Sequence, residues 1–88
     1  MPRYIIERTV GSMTEEEPSV AAKRSIEVID SMEGVVWIKS YMSAAEGKMY
    51  CEYEAPSPDA ILEHARRAGL PVDKISEVSV EISPAMFR

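Results

Sequence analysis

The sequence predicts an α+β domain whose elements run β-α-β-β-α-β. Three observations predict it: four short runs rich in aromatic and β-branched residues, two stretches with a helical apolar stripe, and a glycine near most of the junctions. Strand one is expected over RYIIERTV, residues 3–10, closed by Gly11 and Ser12. Thr14 to Glu17 then reads T-x-x-E, a pattern in which each side chain caps a backbone N–H at a helix start. Ala22, Ser25, Ile26, Ile29 and Met32, widened by Ala21 and Val28, give that helix one apolar side, and Gly34 is its expected stop.

VVWIKSYM, residues 35–42, reads as the second strand, and SAAEG turns the chain at Gly47. In the third strand, MYCEYEA, alternation puts Met49, Cys51 and Tyr53 on one side and Tyr50, Glu52 and Glu54 on the other. The second helix carries nearly every boundary signal: Ser57 as cap, Pro58 at the first position, Asp59 near the positive end, Arg66 and Arg67 near the negative end, and Gly69 after it. Pro71 prevents its continuation. ISEVSVEI, residues 75–82, alternates as a half-buried last strand, and SPAMFR is expected to fray or to serve association. With right-handed crossovers this order gives a ferredoxin-like fold, a four-stranded antiparallel sheet with both helices on one face. Trp37, Tyr41 and Tyr50 are expected on or near the uncovered face, where a second copy would shield them, so a homodimer is expected.

Composition bounds the function. The chain of 88 residues is sized for one domain, spanning 1–88, with 45% hydrophobic and 28% charged residues. A net charge of -5 repels phosphate backbones and anionic lipid, so neither nucleic acid nor membrane is an expected partner. No apolar run reaches the roughly 20 residues of a membrane span, MPRYIIERTV lacks the core of a secretion signal, and Cys51 has no second cysteine to pair with. A cytoplasmic location is the expectation. There is no glycine-rich phosphate loop, no G-x-S-x-G, no H-E-x-x-H and no pair of C-x-x-C motifs, so no organic cofactor is expected.

The residue that stands out is His64. It shares a helical stripe with Ile61, Ala65 and Ala68, so the one histidine turns toward the sheet. Six residues of rise place it roughly 9 Å from the cap, level with Cys51 to Tyr53. Imidazole, thiol and phenol can meet there, either as a soft-metal site completed by Glu54 or Glu52, or as a proton-transfer site. The plain alternative is a core histidine bonded to a backbone carbonyl or to Tyr53. Cys51 has no cationic neighbour in sequence to lower its pKa and reads first as a small buried hydrophobe. Glu52 and Glu54 share one strand face and would meet a cation across the sheet, with Lys39 the candidate. Glu7 and Arg8 lie on opposite sides of strand one, and an inward Arg8 would suit an anionic ligand as well as a salt bridge.

The segments Y-I-I-E-R-T at 4–9, W-I-K-S-Y at 37–41, Y-C-E-Y-E-A-P at 50–56, I-L-E-H-A-R-R-A-G-L-P at 61–71 and I-S-E-V at 75–78 resemble a family of small bacterial proteins with a domain of unknown function. Some of its members are described as nickel-binding or nickel-responsive. The resemblance implies a ferredoxin-like fold, a dimeric α/β barrel and Ni binding, and it draws attention to Glu7, Arg8, Tyr41, Cys51, Tyr53, Glu54 and His64.

Three readings stand open at this point. The first is a homodimeric metal-binding protein with His64, Glu54 and Cys51 as ligands. The second is a small-molecule pocket, sensory or enzymatic without a cofactor, lined by Arg8, Tyr41, Tyr53 and His64. The third is a structural dimer module without a ligand. A cavity beside His64 separates the second from the others.

Overall fold

The computed structural model describes residues 1–11 and 16–88, together with the backbone but not the side chains of residues 16–18. Strands β1 (Arg3–Thr9), β2 (Val36–Ser43), β3 (Lys48–Glu54) and β4 (Lys74–Glu77) and helices α1 (Glu16–Asp30) and α2 (Pro58–Ala68) follow in the expected order, with a short 3-10 turn at Pro84–Phe87. The sheet order is β2-β3-β1-β4 and all three pairings are antiparallel, which is the ferredoxin-like arrangement. The capping pattern at Thr14 and Glu17 lies outside the described residues. Among those described, no helix is long and apolar enough to cross a membrane.

Both helices pack on the sheet face that carries Tyr4, Ile6, Cys51 and Tyr53, and Val35, Ala55 and Ile61 complete the buried cluster. The boundaries of α2 follow the sequence closely. The Ser57 hydroxyl accepts from the Ala60 N–H at 3.3 Å, and Gly69, at φ 67°, takes the left-handed conformation as the Leu70 N–H closes on Ala65 O at 2.9 Å. Arg24 of α1 donates to the Ala68 carbonyl and so ties the two helices together.

Three expectations are corrected. Helix α1 ends at Asp30, four residues before Gly34, because Ser31 and Met32 donate to Val28 O and Ile29 O in a tightening turn, each at 3.0 Å. The last strand stops at Glu77 rather than Ile82. The Val78 N–H still bonds to Arg3 O at 2.8 Å, but the register would next bring Ser79 opposite Pro2, which has no N–H and whose carbonyl already accepts from Ala55. The ladder therefore has nothing left to pair with, and Val80 and Ile82 are exposed despite their alternation.

The third correction concerns β2. Trp37 pairs with Tyr53 while Lys39 pairs with Glu52, so a bulge at Ile38 shifts the alternation by one residue. Trp37 therefore turns to the helix side with Ser40 and Met42, whereas Lys39 and Tyr41 remain on the open face beside Tyr50 and Glu52.

A candidate ligand cavity beneath helix α1

A cavity of about 300 Å³ lies between α1, the sheet and the segment after α2. Helix α1 contributes Ala21, Ala22 and Ser25; β1 contributes Arg8 and Val10; β2 contributes Trp37, Ser40 and Met42; β3 contributes Met49, Cys51 and Tyr53; and Leu70 closes the wall. The small residues on α1 account for the space. Ala21 and Ala22 occupy positions where larger apolar side chains would reach the sheet.

Arg8 is the most unusual lining residue. Its side chain is on the helix side of the central strand, and the residue is 1% exposed. Nη1 donates to Pro71 O at 2.8 Å, while Nε and Nη2 have no hydrogen-bond partner among the described residues. Its guanidinium carbon lies 6.0 Å from the centre of the Tyr53 ring, within cation-π range. No described carboxylate forms an ion pair with it; Glu7, adjacent in sequence, is on the opposite face, in register with Tyr50 and Lys74.

His64 is fully buried behind this wall rather than in it. Its Nε2 lies 3.0 Å from Ser25 Oγ and 3.4 Å from Ser25 O, and its ring packs 5.3 Å from that of Tyr53 at 50°. The Tyr53 hydroxyl in turn lies 3.4 Å from Ser25 Oγ. Nδ1 has no partner. We assign the proton to Nε2, because a bare buried lone pair is tolerated more readily than an orphaned N–H. Ser25 and Tyr53 thus join His64 to the cavity. Burial, with the nearby Arg8 charge adding to it, pushes the imidazole below its ordinary pKa, and burial pushes the Tyr53 phenol up. At neutral pH the imidazole is neutral and the phenol keeps its proton.

A pH dependence follows. Because the folded imidazole titrates below the unfolded value of about 6.5, the unfolded chain takes up a proton that the folded chain refuses, and stability falls as pH drops below about 6.5. The slope contributed by this one group reaches at most about 1.4 kcal/mol per pH unit. Glu63, held by Arg66 and Arg67 to about 2, gives up its small contribution as pH falls from the ordinary carboxylate range toward about 2, on the acid side of the point where the His64 loss begins. Urea midpoints measured between pH 7.5 and 5 should fall for the wild type, and the fall should be shallower for His64→Gln. Equal slopes would mean that the ring charges freely in the fold.

The expected metal ligands are not gathered. Cys51 is buried on the helix side with His64, but Glu54 is on the open face, where Arg3 meets it at 3.6 Å and Glu52 at 3.2 Å. Arg3, not Lys39, is the cation in contact with that carboxylate pair. Among the described residues no three His, Cys, Asp or Glu side chains cluster. One imidazole and one thiol are too few donors for a nickel centre, and the described residues do not fit that ion. Tyr41 also stands outside the cavity, 60% exposed on the open face. Arg8 and Tyr53 line the wall as expected, and His64 reaches it through Ser25. Sequence reasoning missed Ser25 and Trp37. The lone hydroxyl among the Ala22 and Ile29 stripe of α1 was the available signal for Ser25, whereas nothing in the sequence marked the bulge that turns Trp37 inward.

The β-α-β-β-α-β chain with a polar pair at its core and a walled cavity above its sheet defines a small α+β protein of the ferredoxin-like class. The chain belongs to the family described as nickel responsive protein SCO4226-like, whose profile matches residues 4–78. It is similar to SCO4226 from Streptomyces coelicolor A3(2), known from a crystal structure, with a TM-score of 0.82 and 25% identity over 91% of this chain and 99% of that one. Comparison with curated proteins finds no match.

Proposed function

We propose that this protein binds a small organic molecule in the cavity beneath α1 and works as a homodimer. The cavity is the observation that carries the first part: a partly open cleft of about 300 Å³ with largely apolar walls and a few fixed polar groups is the usual form of a small-molecule site. The family description ties relatives to nickel, but a centre on His64, Cys51 and Glu54 would need donors from both sides of the sheet, so the proposed function does not run through such an ion.

The open sheet face supports the second part. Val36, Tyr41 and the tail residues Val80, Ile82 and Phe87 are exposed apolar groups, and the Arg3 contact with Glu81, at 3.6 Å, brings the tail against that face. Arg3, Lys39 and Lys74 are interspersed there with Glu7, Glu52 and Glu54, a mixed pattern that a two-fold contact can satisfy with itself.

One set of measurements tests both parts. A panel of small organic molecules is screened by melting temperature, with binding followed by cavity-residue chemical shifts, on the wild type and on Ala22→Phe, which fills the cavity. Binding confined to the wild type is expected; a panel without any binder speaks against the cavity as a site. Sedimentation equilibrium should give a dimer for the wild type and a monomer for Tyr41→Glu. A wild-type monomer at all concentrations would end the dimer proposal.

A further inference from the structure

We infer that the cavity's ligand is a small monocarboxylic acid with an apolar body, held through the side-on edge of the Arg8 guanidinium. The inference rests on the cavity being a ligand site and names the chemistry that fits it.

The guanidinium group presents its donors in a planar fork, and the Nε–H and one Nη2–H lie parallel along one edge. In Arg8 the opposite side is anchored by the Nη1 bond to Pro71 O, and Nε and Nη2 are the two atoms left without partners among the described residues. The free edge is thus the one whose spacing matches the two oxygens of a carboxylate. The group is 1% exposed, so bulk water does not supply the missing bonds, and a buried cation without a counter-ion is costly. An anion seated against this edge from the cavity satisfies both the donors and the charge, and because neither nitrogen is open to water, its entry requires the side chains covering the edge to shift.

The rest of the wall selects among anions. Val10, Met42, Met49 and Leu70 offer no polar side-chain donor, Trp37 directs its Nε1–H to Ser40 Oγ at 2.9 Å, and the polar groups beside Arg8 are the neutral Ser25, Ser40 and Tyr53 hydroxyls and the Cys51 thiol. One charged fork in a wall of apolar and neutral polar groups suits one delocalised negative charge. A phosphate dianion would bring a second negative charge to a lining in which Arg8 is the one cationic residue among those described, and the acidic chain, at -5, adds a general penalty for polyanions. Trp37 and the two methionines suit an aryl or short alkyl body.

Calorimetry with benzoate and hexanoate, with benzamide and hexanamide as neutral isosteres, and with inorganic phosphate tests the assignment. The protein is first stripped of copurified small molecules by unfolding and refolding. The acids are expected to bind the wild type about tenfold to a hundredfold more tightly than the amides, as one charge-assisted pair allows. Arg8→Met should erase that preference while leaving weak amide binding, and Arg8→Lys, which keeps the charge but lacks the fork, should recover only part of it. Acids and amides bound equally, or Arg8→Met without effect on the acids, would overturn the carboxylate assignment and leave the cavity as a ligand site. Phosphate bound more tightly than the acids would overturn it in favour of another anion. Loss of every binder only in Ala22→Phe keeps the site, whereas no binding of the acids to the wild type overturns the carboxylate assignment and leaves the cavity to be judged by the wider panel.

Discussion

Ile61→Ala is expected to lower stability by about 3 kcal/mol and the melting temperature by roughly 10 to 25 °C, whereas Leu62→Ala should change either by little. The two residues are neighbours on α2, but Ile61 is 0% exposed in the central cluster and Leu62 is 48% exposed. Removing three buried carbons from Ile61 forfeits their transfer energy and leaves a void that a sheet and two helices cannot close fully. A domain of this length has a total stability of roughly 4 to 13 kcal/mol, so the loss is a large share of it. Calorimetric melting of the two variants checks the result. Similar losses for both would mean that the helix presents a different face to the sheet.

The second large effect has the opposite sign. Arg8→Met is expected to stabilise the ligand-free protein by about 1 to 3 kcal/mol, because methionine has a similar length, carries no charge and keeps the contact with the Tyr53 ring. The cost is the bond to Pro71 O, which is one hydrogen bond, set against a guanidinium with two unpartnered nitrogens in a 1% exposed position. A raised urea midpoint at an unchanged slope is the expected reading, with the preference for acids lost in the same variant. Stability gained together with binding lost is the mark of a group kept for function rather than for folding. A lowered midpoint would instead make Arg8 a structural anchor of the segment around Pro71, and the role proposed for its free edge would go with it.

The Tyr53, Ser25 and His64 chain suits the same reading in a quieter way. It holds the inner wall of the cavity in place with neutral groups, so the Arg8 charge is the one strong field that a ligand meets there. His64 therefore reads as a positioning residue, acting through Ser25 rather than touching the cavity itself.

Local signals located most elements of this protein from the sequence by itself. Ser57, Pro58 and Gly69 mark α2 because caps act over a single turn of backbone, and the alternation of Met49, Cys51 and Tyr53 places β3 correctly because a regular strand has a fixed period of two. The inward turn of His64 was legible for the same reason, since helical spacing alone sets it on the stripe with Ile61 and Ala65. Tertiary structure decided the rest. The bulge at Ile38 and the early end of β4 opposite Pro2 both depend on which strand lies alongside and where its donors run out. The free edge of Arg8 is of the same kind: its charge is written in the chain, but its lack of partners follows from how the surrounding elements pack, and that is a property of the assembled sheet and helices rather than of any one segment.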